Sequence, residues 1–202
     1  MNDREIRAFG GEFRVSRTDD GSSLRGHAAV FNSLSENLGG FREQIKPGAF
    51  KWALENDDVR ALINHDSNLV IGRNTAGTLR MKEDKTGLAV EIDLPDTQAA
   101  RDLSVSIERG DISQMSFGFR VRAGGQEWGE DDDGDVIRTL TDLSLFDVSP
   151  VAYPAYPATD VGLRSLETFQ TDKANRKAIF LRILDAQKRR LQLSRGSRGL
   201  FY

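Results

Sequence analysis

The chain has 202 residues with a net charge of −3, 38% hydrophobic residues, 29% charged residues and no cysteine. The absence of cysteine excludes disulfides, a thiol nucleophile and thiolate metal sites, and two histidines without an HExxH pattern disfavour a zinc enzyme. No apolar run approaches the length of about 18 residues that a membrane span needs, and no apolar signal segment follows the first residues, so we expect an intracellular protein.

The charge is unevenly distributed along the chain. Residues 171–202 carry nine Lys or Arg and two acids, about +7, which leaves about −10 for the rest, including the acidic segment 127–135. This difference predicts two units with separate roles. We expect a main domain over residues 1–166, followed by a basic amphipathic helix and a flexible tail over 167–202.

The first half of the chain predicts mostly strands. Asp20-Gly21 lies between two alternating segments and is a strong hairpin signal. Pro47 and Gly48 precede a short helical run over residues 49–55. The predicted strands of this half are residues 5–16, 23–31 and 58–65, and two within 77–95.

The second half begins with the clearest helix, over residues 96–111. Asp96 or Thr97 is its predicted N-cap, and Gly110 stands at its C-terminal stop. Two long alternating strands follow, then a proline-rich exit from the sheet and a basic helix with apolar positions. The strands are predicted over 112–125 and 136–153, and the helix over 173–193 with Ile179, Ile183 and Leu191. The fold class is therefore α+β and β-rich, with about seven strands.

With cysteine and metal chemistry disfavoured, the simplest catalytic arrangement is a serine activated by a histidine that an acid orients. His27 and His65 are the available bases. His27 lies within a predicted strand and has no acid among its sequence neighbours, so we interpret it as a surface or packing residue. His65 ends a strand beside a polar loop, where an imidazole can reach both core and cleft.

Ser116, in the segment QMSFGF, is the candidate nucleophile. Strand alternation places Met115, Phe117 and Phe119 on one face and the small Ser116 and Gly118 on the other, which leaves space above the sheet. The backbone N–H groups of Phe117 and Gly118 are candidate oxyanion donors. The same pattern also fits an ordinary strand in which another backbone packs closely.

Two acids in TLTDLSLFDVSPV are candidates for the third group. Alternation puts Leu143, Leu145 and Asp147 on one face, so an inward-facing Asp147 would need a partner such as histidine. Asp142 points the other way and is the alternative third member. It also fits an ordinary carboxylate on a strand surface.

Five motifs occur together in this order: GFREQIKPGAF, LINHDSNLVIGRNTAGTLRM, GLAVEIDLPDTQAARD, IERGDISQMSFGF and LFDVSPVAYPAYPAT. Over residues 22–165 the chain resembles the prohead proteases of HK97-type tailed phages, a family similar in fold to the herpesvirus assembly protease. The resemblance implies a closed β-barrel flanked by helices, with His65 and Ser116 at the catalytic positions. Asp147 stands where the family usually has Glu, and His27 stands where it often has Tyr.

The resemblance also implies a function. Such a serine endopeptidase cleaves the scaffolding segment of the major capsid protein, and then itself, inside the immature capsid in the host cytoplasm. It uses no metal or organic cofactor. The expected partners are the major capsid protein and further copies of the chain, while a membrane is not expected and nucleic-acid binding is disfavoured. The basic helix would dock on an acidic or helical scaffold, or pack on the acidic body.

Three other interpretations compete with this one. The first is a catalytically silent capsid-assembly or scaffolding protein on the same fold. The second is a fused protease and scaffold, for which the 35 or so residues after the domain are few. The third is an unrelated esterase, which would usually carry its serine in a G-x-S-x-G elbow between strand and helix.

Overall fold

A computed structural model describes residues 4–9, 13–18, 21–153 and 160–196. This part of the chain is α+β and rich in strands, with three α-helices and one short 3₁₀ helix, Asn74–Ala76. The strands are β1 Glu5–Phe9, β2 Phe13–Thr18, β3 Gly21–Val30, β4 Arg42–Ile45, β5 Arg60–Ile63, β6 Asp66–Arg73, β7 Leu79–Glu83, β8 Gly87–Leu94, β9 Gln114–Val121, β10 Gln126–Glu130, β11 Val136–Leu140 and β12 Leu143–Val151. The helices are α1 Lys51–Asn56, α2 Gln98–Glu108 and α3 Asp160–Gly196.

The strands form three sheets. The largest has five strands in the order β1-β9-β12-β5-β6, in which only β12 and β5 pair in parallel. A four-stranded sheet runs β2-β3-β8-β7, and a three-stranded sheet runs β10-β11-β4. In the part of the chain described, none of these strand orders closes on itself. The closed barrel of herpesvirus-protease type therefore stays a prediction.

The core lies between the five-stranded and four-stranded sheets and is rich in aromatic side chains. Phe50 of the loop before α1 packs edge-on against Phe117 of β9, with ring centroids 5.6 Å apart, and Phe117 lies 5.0 Å from Phe119. All three side chains are fully buried. The inward face of β9 is thus fixed by packing, which leaves Ser116 and Gly118 on its other face.

Helix α2 begins and ends as the sequence predicts. The Thr97 hydroxyl accepts a hydrogen bond from the Ala100 amide, which identifies Thr97 as the N-cap rather than Asp96. Ala100, Leu103 and Ile107 form the buried stripe. Gly110 follows with φ of 82°, a left-handed conformation that glycine adopts without steric cost.

The prediction of about seven strands is too low, because twelve occur in the described residues. The predicted strand over 5–16 is two strands, β1 and β2, which lie in different sheets and are separated by Gly10-Gly11, a weak sequence for a strand. The predicted strand over 136–153 is likewise β11 and β12 in different sheets. Strands β4, β6 and β10 were not predicted, because they are short, polar or largely exposed.

The chain divides into two compact units, Met1–Thr159 and Asp160–Tyr202. In its described residues the second unit is helix α3, which begins well before the predicted start at residue 173. Ile179 and Ile183 are more than half exposed, and the Leu191 side chain lies outside the described ones. Residues 197–202 of the predicted tail also lie outside the described residues. The division at residue 166 into a protease domain and a helical appendage stays a prediction.

Candidate active site

Ser116 lies in the middle of β9, on the face opposite the aromatic core. Its neighbours Met115 and Phe117 are fully buried in that core. The Ser116 hydroxyl donates a hydrogen bond to the backbone carbonyl of Arg7 on β1, at 2.9 Å. It also lies 2.7 Å from Nε2 of His65. The candidate nucleophile and base are therefore within hydrogen-bond distance of each other.

His65 is held by a two-residue turn between β5 and β6. Ile63 pairs with Asp66, and the two turn residues Asn64 and His65 have φ of 52° and 59°. Positive φ at both positions is typical of the type I′ turn that joins antiparallel strands. Asn and His adopt this conformation more often than most residues, although glycine adopts it at lower cost.

Asn64 ties this turn to the end of β12. Its amide donates to the Pro150 carbonyl at 3.0 Å, and its side-chain Oδ1 accepts from the Ala152 amide at 2.9 Å. These two hydrogen bonds fix the turn against the strand that carries Asp147. The His65 ring is consequently well positioned, with 12% of its side chain exposed.

Asp147 joins Ser116 and His65 because of an irregularity in β12 that strand alternation alone does not predict. Leu145 pairs with Phe119, whereas Asp147 pairs with Gly118, so Phe146 is the extra residue of a β-bulge. The bulge moves Asp147 off the core face that Leu145 occupies and onto the face of Ser116. The predicted shared face of Leu143, Leu145 and Asp147 is therefore wrong, although Asp147 is buried. Its Oδ2 lies 2.5 Å from Nδ1 of His65.

The Asp147 carboxylate has two further partners. Arg4 forms an ion pair with Oδ1, and the Ser149 hydroxyl donates to Oδ2 at 2.8 Å. Burial by itself would raise the pKa of Asp147, but the hydrogen bonds from His65 and Ser149 and the charge of Arg4 outweigh burial and hold this pKa below its usual range. The carboxylate is thus kept ionised and aimed at the imidazole.

Gly118 leaves the space in which these groups meet. A Cβ built on Gly118 would collide with Oδ1 of Asp147 and would lie 2.9 Å from Nε of Arg4. A side chain at this position is therefore incompatible with the observed Asp147–Arg4 pair. The small-residue pattern of QMSFGF reflects this close approach.

The other acid and the other histidine lie elsewhere. Asp142 precedes β12 and forms an ion pair with Arg122 at 3.0 Å. His27 pairs through Nε2 with Asp84 at 2.9 Å, and this hydrogen bond is the main reason that the pKa of Asp84 falls to about 2. His27 thus has an acidic partner that its sequence neighbours did not reveal.

The candidate oxyanion donors lie within a paired strand. Phe117 and Gly118 are registered with Arg7 and Ile6 of β1 on one side, and with β12 on the other. A strand flanked on both sides uses its amides in the ladders. The role of these two amides as oxyanion donors stays a prediction.

Sequence reasoning did not identify Arg4, Ser149, Asn64 or the carbonyl of Arg7. Ser149 had a signal, because it lies two residues from Asp147 and therefore on the same face. Asn64 had one too, since Asn favours positive φ in tight turns. Arg4 and the Arg7 carbonyl had none, because only the pairing of β1 with β9 brings them to the site.

The arrangement is a continuous hydrogen-bonded series from carboxylate to imidazole to hydroxyl. Such a series can remove a proton from the hydroxyl as it attacks an electrophilic carbon, while the carboxylate stabilises the imidazolium that forms. Among the described residues, no cluster of three or more acidic or histidine side chains is arranged to hold a metal ion. Within the same residues, no helix is long and apolar enough to cross a membrane.

The chain is similar to known proteins both in sequence and in fold. The profile of a family described as Caudovirus prohead serine protease matches residues 11–173. A prohead protease of Enterobacteria phage HK97 is 34% identical over 116 residues, covering 54% of this chain and 48% of that protein, so the chain spans about half of that relative's length. The solved structure of the bacteriophage T4 capsid assembly protease is similar in fold, with a TM-score of 0.51 at 11% identity, over 73% of this chain and 96% of that one.

Proposed function

This chain belongs to the caudovirus prohead serine protease family, as its motifs predict, and from that premise we propose that it is a serine endopeptidase of phage capsid maturation. The observation that carries the proposal is the series Asp147–His65–Ser116, with donor–acceptor distances of 2.5 and 2.7 Å. Three side chains from two strands and a turn meet in the order that acyl transfer requires.

In the proposed reaction, Ser116 Oγ attacks the carbonyl carbon of the scissile peptide while His65 Nε2 accepts its proton. The C–N bond then breaks, and His65 returns the proton to the leaving amine, which leaves an ester on Ser116. Water attacks the ester carbon with His65 again as base. The bond from that carbon to Oγ then breaks, and His65 returns the proton to Oγ, which releases the carboxylic acid product and restores the free hydroxyl. Asp147 keeps Nδ1 of His65 protonated and balances the transient imidazolium charge.

The transition state places negative charge on the carbonyl oxygen. We propose the amides of Phe117 and Gly118 as its donors, which requires a local release of one of them from its strand ladder when substrate binds. Their position in the chain supports this assignment, since both amides directly follow Ser116.

The proposed substrates are the scaffolding segment of the major capsid protein and the chain itself, inside the immature capsid in the host cytoplasm. The family description and the phage relatives support this assignment. We propose that α3 carries the enzyme into the capsid, because its basic residues and its exposed apolar residues suit an acidic or helical scaffold, and that copies of the chain associate there. A closed barrel of herpesvirus-protease type is part of the proposal.

The competing proposal is a catalytically silent capsid-assembly protein. The contact of His65 with both Asp147 and Ser116 speaks against it, because one imidazole then joins an acid to a hydroxyl. Aligned Ser116 and His65 would also be unnecessary in a purely structural protein.

Co-expression with the major capsid protein tests the proposal. The variants are wild type, Ser116→Ala, His65→Ala and, as matched control, His27→Ala, whose histidine also pairs with an acid. Intact mass of each product is measured. We expect trimmed capsid protein with wild type and His27→Ala, and only full-length capsid protein with the other two.

A second serine control separates the nucleophile from its surroundings. Ser149→Ala removes a hydroxyl that contacts Asp147 but not the scissile bond, so trimming should slow without stopping. Trimming that persists in Ser116→Ala would overturn the nucleophile assignment. Full-length capsid protein in every sample, with the protease assembled into capsids, would favour the silent protein.

A further inference from the structure

Arg4 is bound to the catalytic carboxylate although it lies outside the motifs that predicted the site. It immediately precedes β1, whose Ile6 pairs with Gly118 of β9, and its guanidinium crosses Gly118 to reach Asp147 Oδ1. The Asp147 side chain is 2% exposed, whereas that of Arg4 is 31% exposed. A permanent cation from the edge strand is thus paired with a buried charge.

The two oxygens of Asp147 have different partners. Oδ1 is bound by Arg4, while Oδ2 lies against His65 Nδ1 and accepts from Ser149. A bound Oδ1 fixes the rotamer of the carboxylate, so that Oδ2 faces the imidazole. Arg4 therefore affects both the direction of the carboxylate and the charge that His65 experiences.

The charged groups around the pair come from each neighbouring element. Arg60 of β5 pairs with Asp147 in the parallel ladder. Its guanidinium, however, donates hydrogen bonds to the backbone carbonyl and the carboxylate of Asp58, at 2.9 and 3.1 Å. Asp66 of β6 is exposed and accepts from Asn68. The remaining neighbours, Ser116 and Gly118 of β9 and Ser149 of β12, are uncharged. Among the described residues, Arg4 is thus the cation in direct contact with the pair.

We propose that Arg4 is a positioning residue that extends the activity of the enzyme to lower pH, by neutralising part of the Asp147 charge seen by His65. This inference rests on the proposed protease function. When His65 alone balances a buried carboxylate, the pair holds an extra proton more tightly, and protonated His65 cannot accept the proton of Ser116. With Arg4 present, the pair releases that proton at lower pH.

The size of the expected pH shift follows from the direct contact between Arg4 and Asp147 and from the partial exposure of Arg4. Loss of one full charge next to Asp147, partly screened because Arg4 reaches solvent, corresponds to a shift of about one pH unit. In Arg4→Met the pH at which the rate falls on acidification rises by that amount. The rate is then reduced about tenfold at pH values below this transition and changes little at pH values above it. Arg4→Lys keeps the charge and restores most of the profile. Arg17→Met is the control, since Arg17 pairs with Glu108 on the exposed surface.

The first measurement is the NMR titration of His65 in a Ser116→Ala background, which prevents self-cleavage. The chain has two histidines, and His27→Gln assigns their resonances. We expect the His65 midpoint to rise by about one pH unit in Arg4→Met, with Arg4→Lys and Arg17→Met close to the parent. An unchanged midpoint in a folded Arg4→Met chain would overturn the proposal.

The second measurement is the rate of Ser116 labelling by a fluorophosphonate probe from pH 5 to 9, a range that includes the usual histidine transition. A shifted acid limb in Arg4→Met, rescued by Arg4→Lys, supports the proposal. An equal loss at every pH without rescue would show a merely structural role and overturn it. If wild type is not labelled while the NMR midpoint still shifts, the protease function fails and the coupling of Arg4 to the pair is supported.

Discussion

The hydroxyl of Ser116 has one proton and two acceptors within reach. The Arg7 carbonyl lies at 2.9 Å and His65 Nε2 at 2.7 Å. Only the hydrogen bond to His65 prepares the oxygen for attack, because a carbonyl oxygen cannot take the proton away. The backbone of β1 is therefore part of the candidate site, and its carbonyl competes with the imidazole for the proton of the candidate nucleophile.

Adding a single methyl group at Gly118 should reduce activity strongly while the protein still folds. In Gly118→Ala the new Cβ displaces the Asp147 carboxylate or Arg4, so we expect labelling of Ser116 by a fluorophosphonate to fall about 100-fold or more. The free energy of unfolding in urea should fall by about 1–3 kcal/mol, as in other overpacked sites. Gly129→Ala is the matched control, because a Cβ there meets no atom within 4 Å. Wild-type labelling of Gly118→Ala would contradict the observed placement of Asp147.

The sequence predicts the grouped side chains better than it predicts their surroundings. His65 ends a strand and Ser116 stands among small residues, both patterns are local, and the family resemblance points to the same two residues. The partner of His27, by contrast, is Asp84, 57 positions away. Contacts of this kind depend on which strands become neighbours, and a single sequence does not reveal that order.

The bulge in β12 decides which face Asp147 occupies. An extra residue reverses the alternation of every residue that follows it in a strand. Nothing within LSLFDVSPV marks Phe146 as that residue, since the bulge exists only relative to the partner β9. The same limit explains the strand count, because strand ends are set by pairing as much as by composition.

Asp57 stabilises this bulge from the end of α1. Its Oδ2 accepts a hydrogen bond from the Leu145 amide at 2.7 Å, one residue before Phe146. We expect Asp57→Ala to reduce Ser116 labelling at least about tenfold and to cost about 1–3 kcal/mol, since a largely buried amide loses its acceptor. Asp57→Asn keeps an acceptor oxygen and should retain near wild-type labelling. Equal losses in both variants would contradict this role.

The same pair of variants has a predictable pH dependence. Burial raises the pKa of Asp57 above its usual 3.8, against the opposing hydrogen bond from Leu145 and the charges of Arg122 and Arg120. The folded protein thus holds the proton of Asp57 more tightly than the unfolded chain does. As the pH rises from 3.8 to the raised pKa of the folded protein, ionisation of Asp57 therefore lowers the stability. As the pH is raised above 3.8, the free energy of unfolding of Asp57→Asn, measured in urea, should therefore increase relative to that of wild type.

The turn that carries His65 provides a second test at this scale. At φ of 59°, glycine is unstrained whereas His and Ala are not. We expect both His65→Gly and His65→Ala to be inactive, with His65→Gly more stable by about 1 kcal/mol in urea unfolding. Ala89→Gly is the control for the difference between Ala and Gly. It lies within strand β8, where replacing Ala by Gly should destabilise the protein by about 0.5–1 kcal/mol. Equal stability of the two His65 variants would mean that the turn is not left-handed.

At the scale of the whole molecule, a buried network of four charges holds β1 in place. Glu5 and Arg7 of β1 meet Glu43 of β4 and Arg138 of β11 through ion pairs of 2.8–2.9 Å. All four side chains are at most 4% exposed. The network thereby joins the five-stranded sheet to the three-stranded one. The same strand supplies the Arg7 carbonyl to the candidate active site, and Arg4 directly precedes it.

Arg138→Met tests whether the network secures both stability and the site. Removing one cation takes from two buried carboxylates their ion pairs with Arg138, so we expect a loss of about 3–5 kcal/mol in urea unfolding. Arg17→Met, which breaks the exposed pair with Glu108, should change stability by about 0–1 kcal/mol. In a folded Arg138→Met chain, the amides of β1 should exchange with solvent faster than those of β9, because β1 is the edge strand. Ser116 labelling should fall with them, since β1 carries the contacts to Ser116 and Asp147. A stable Arg138→Met chain with slow exchange in β1 would show that strand pairing alone holds this part of the site.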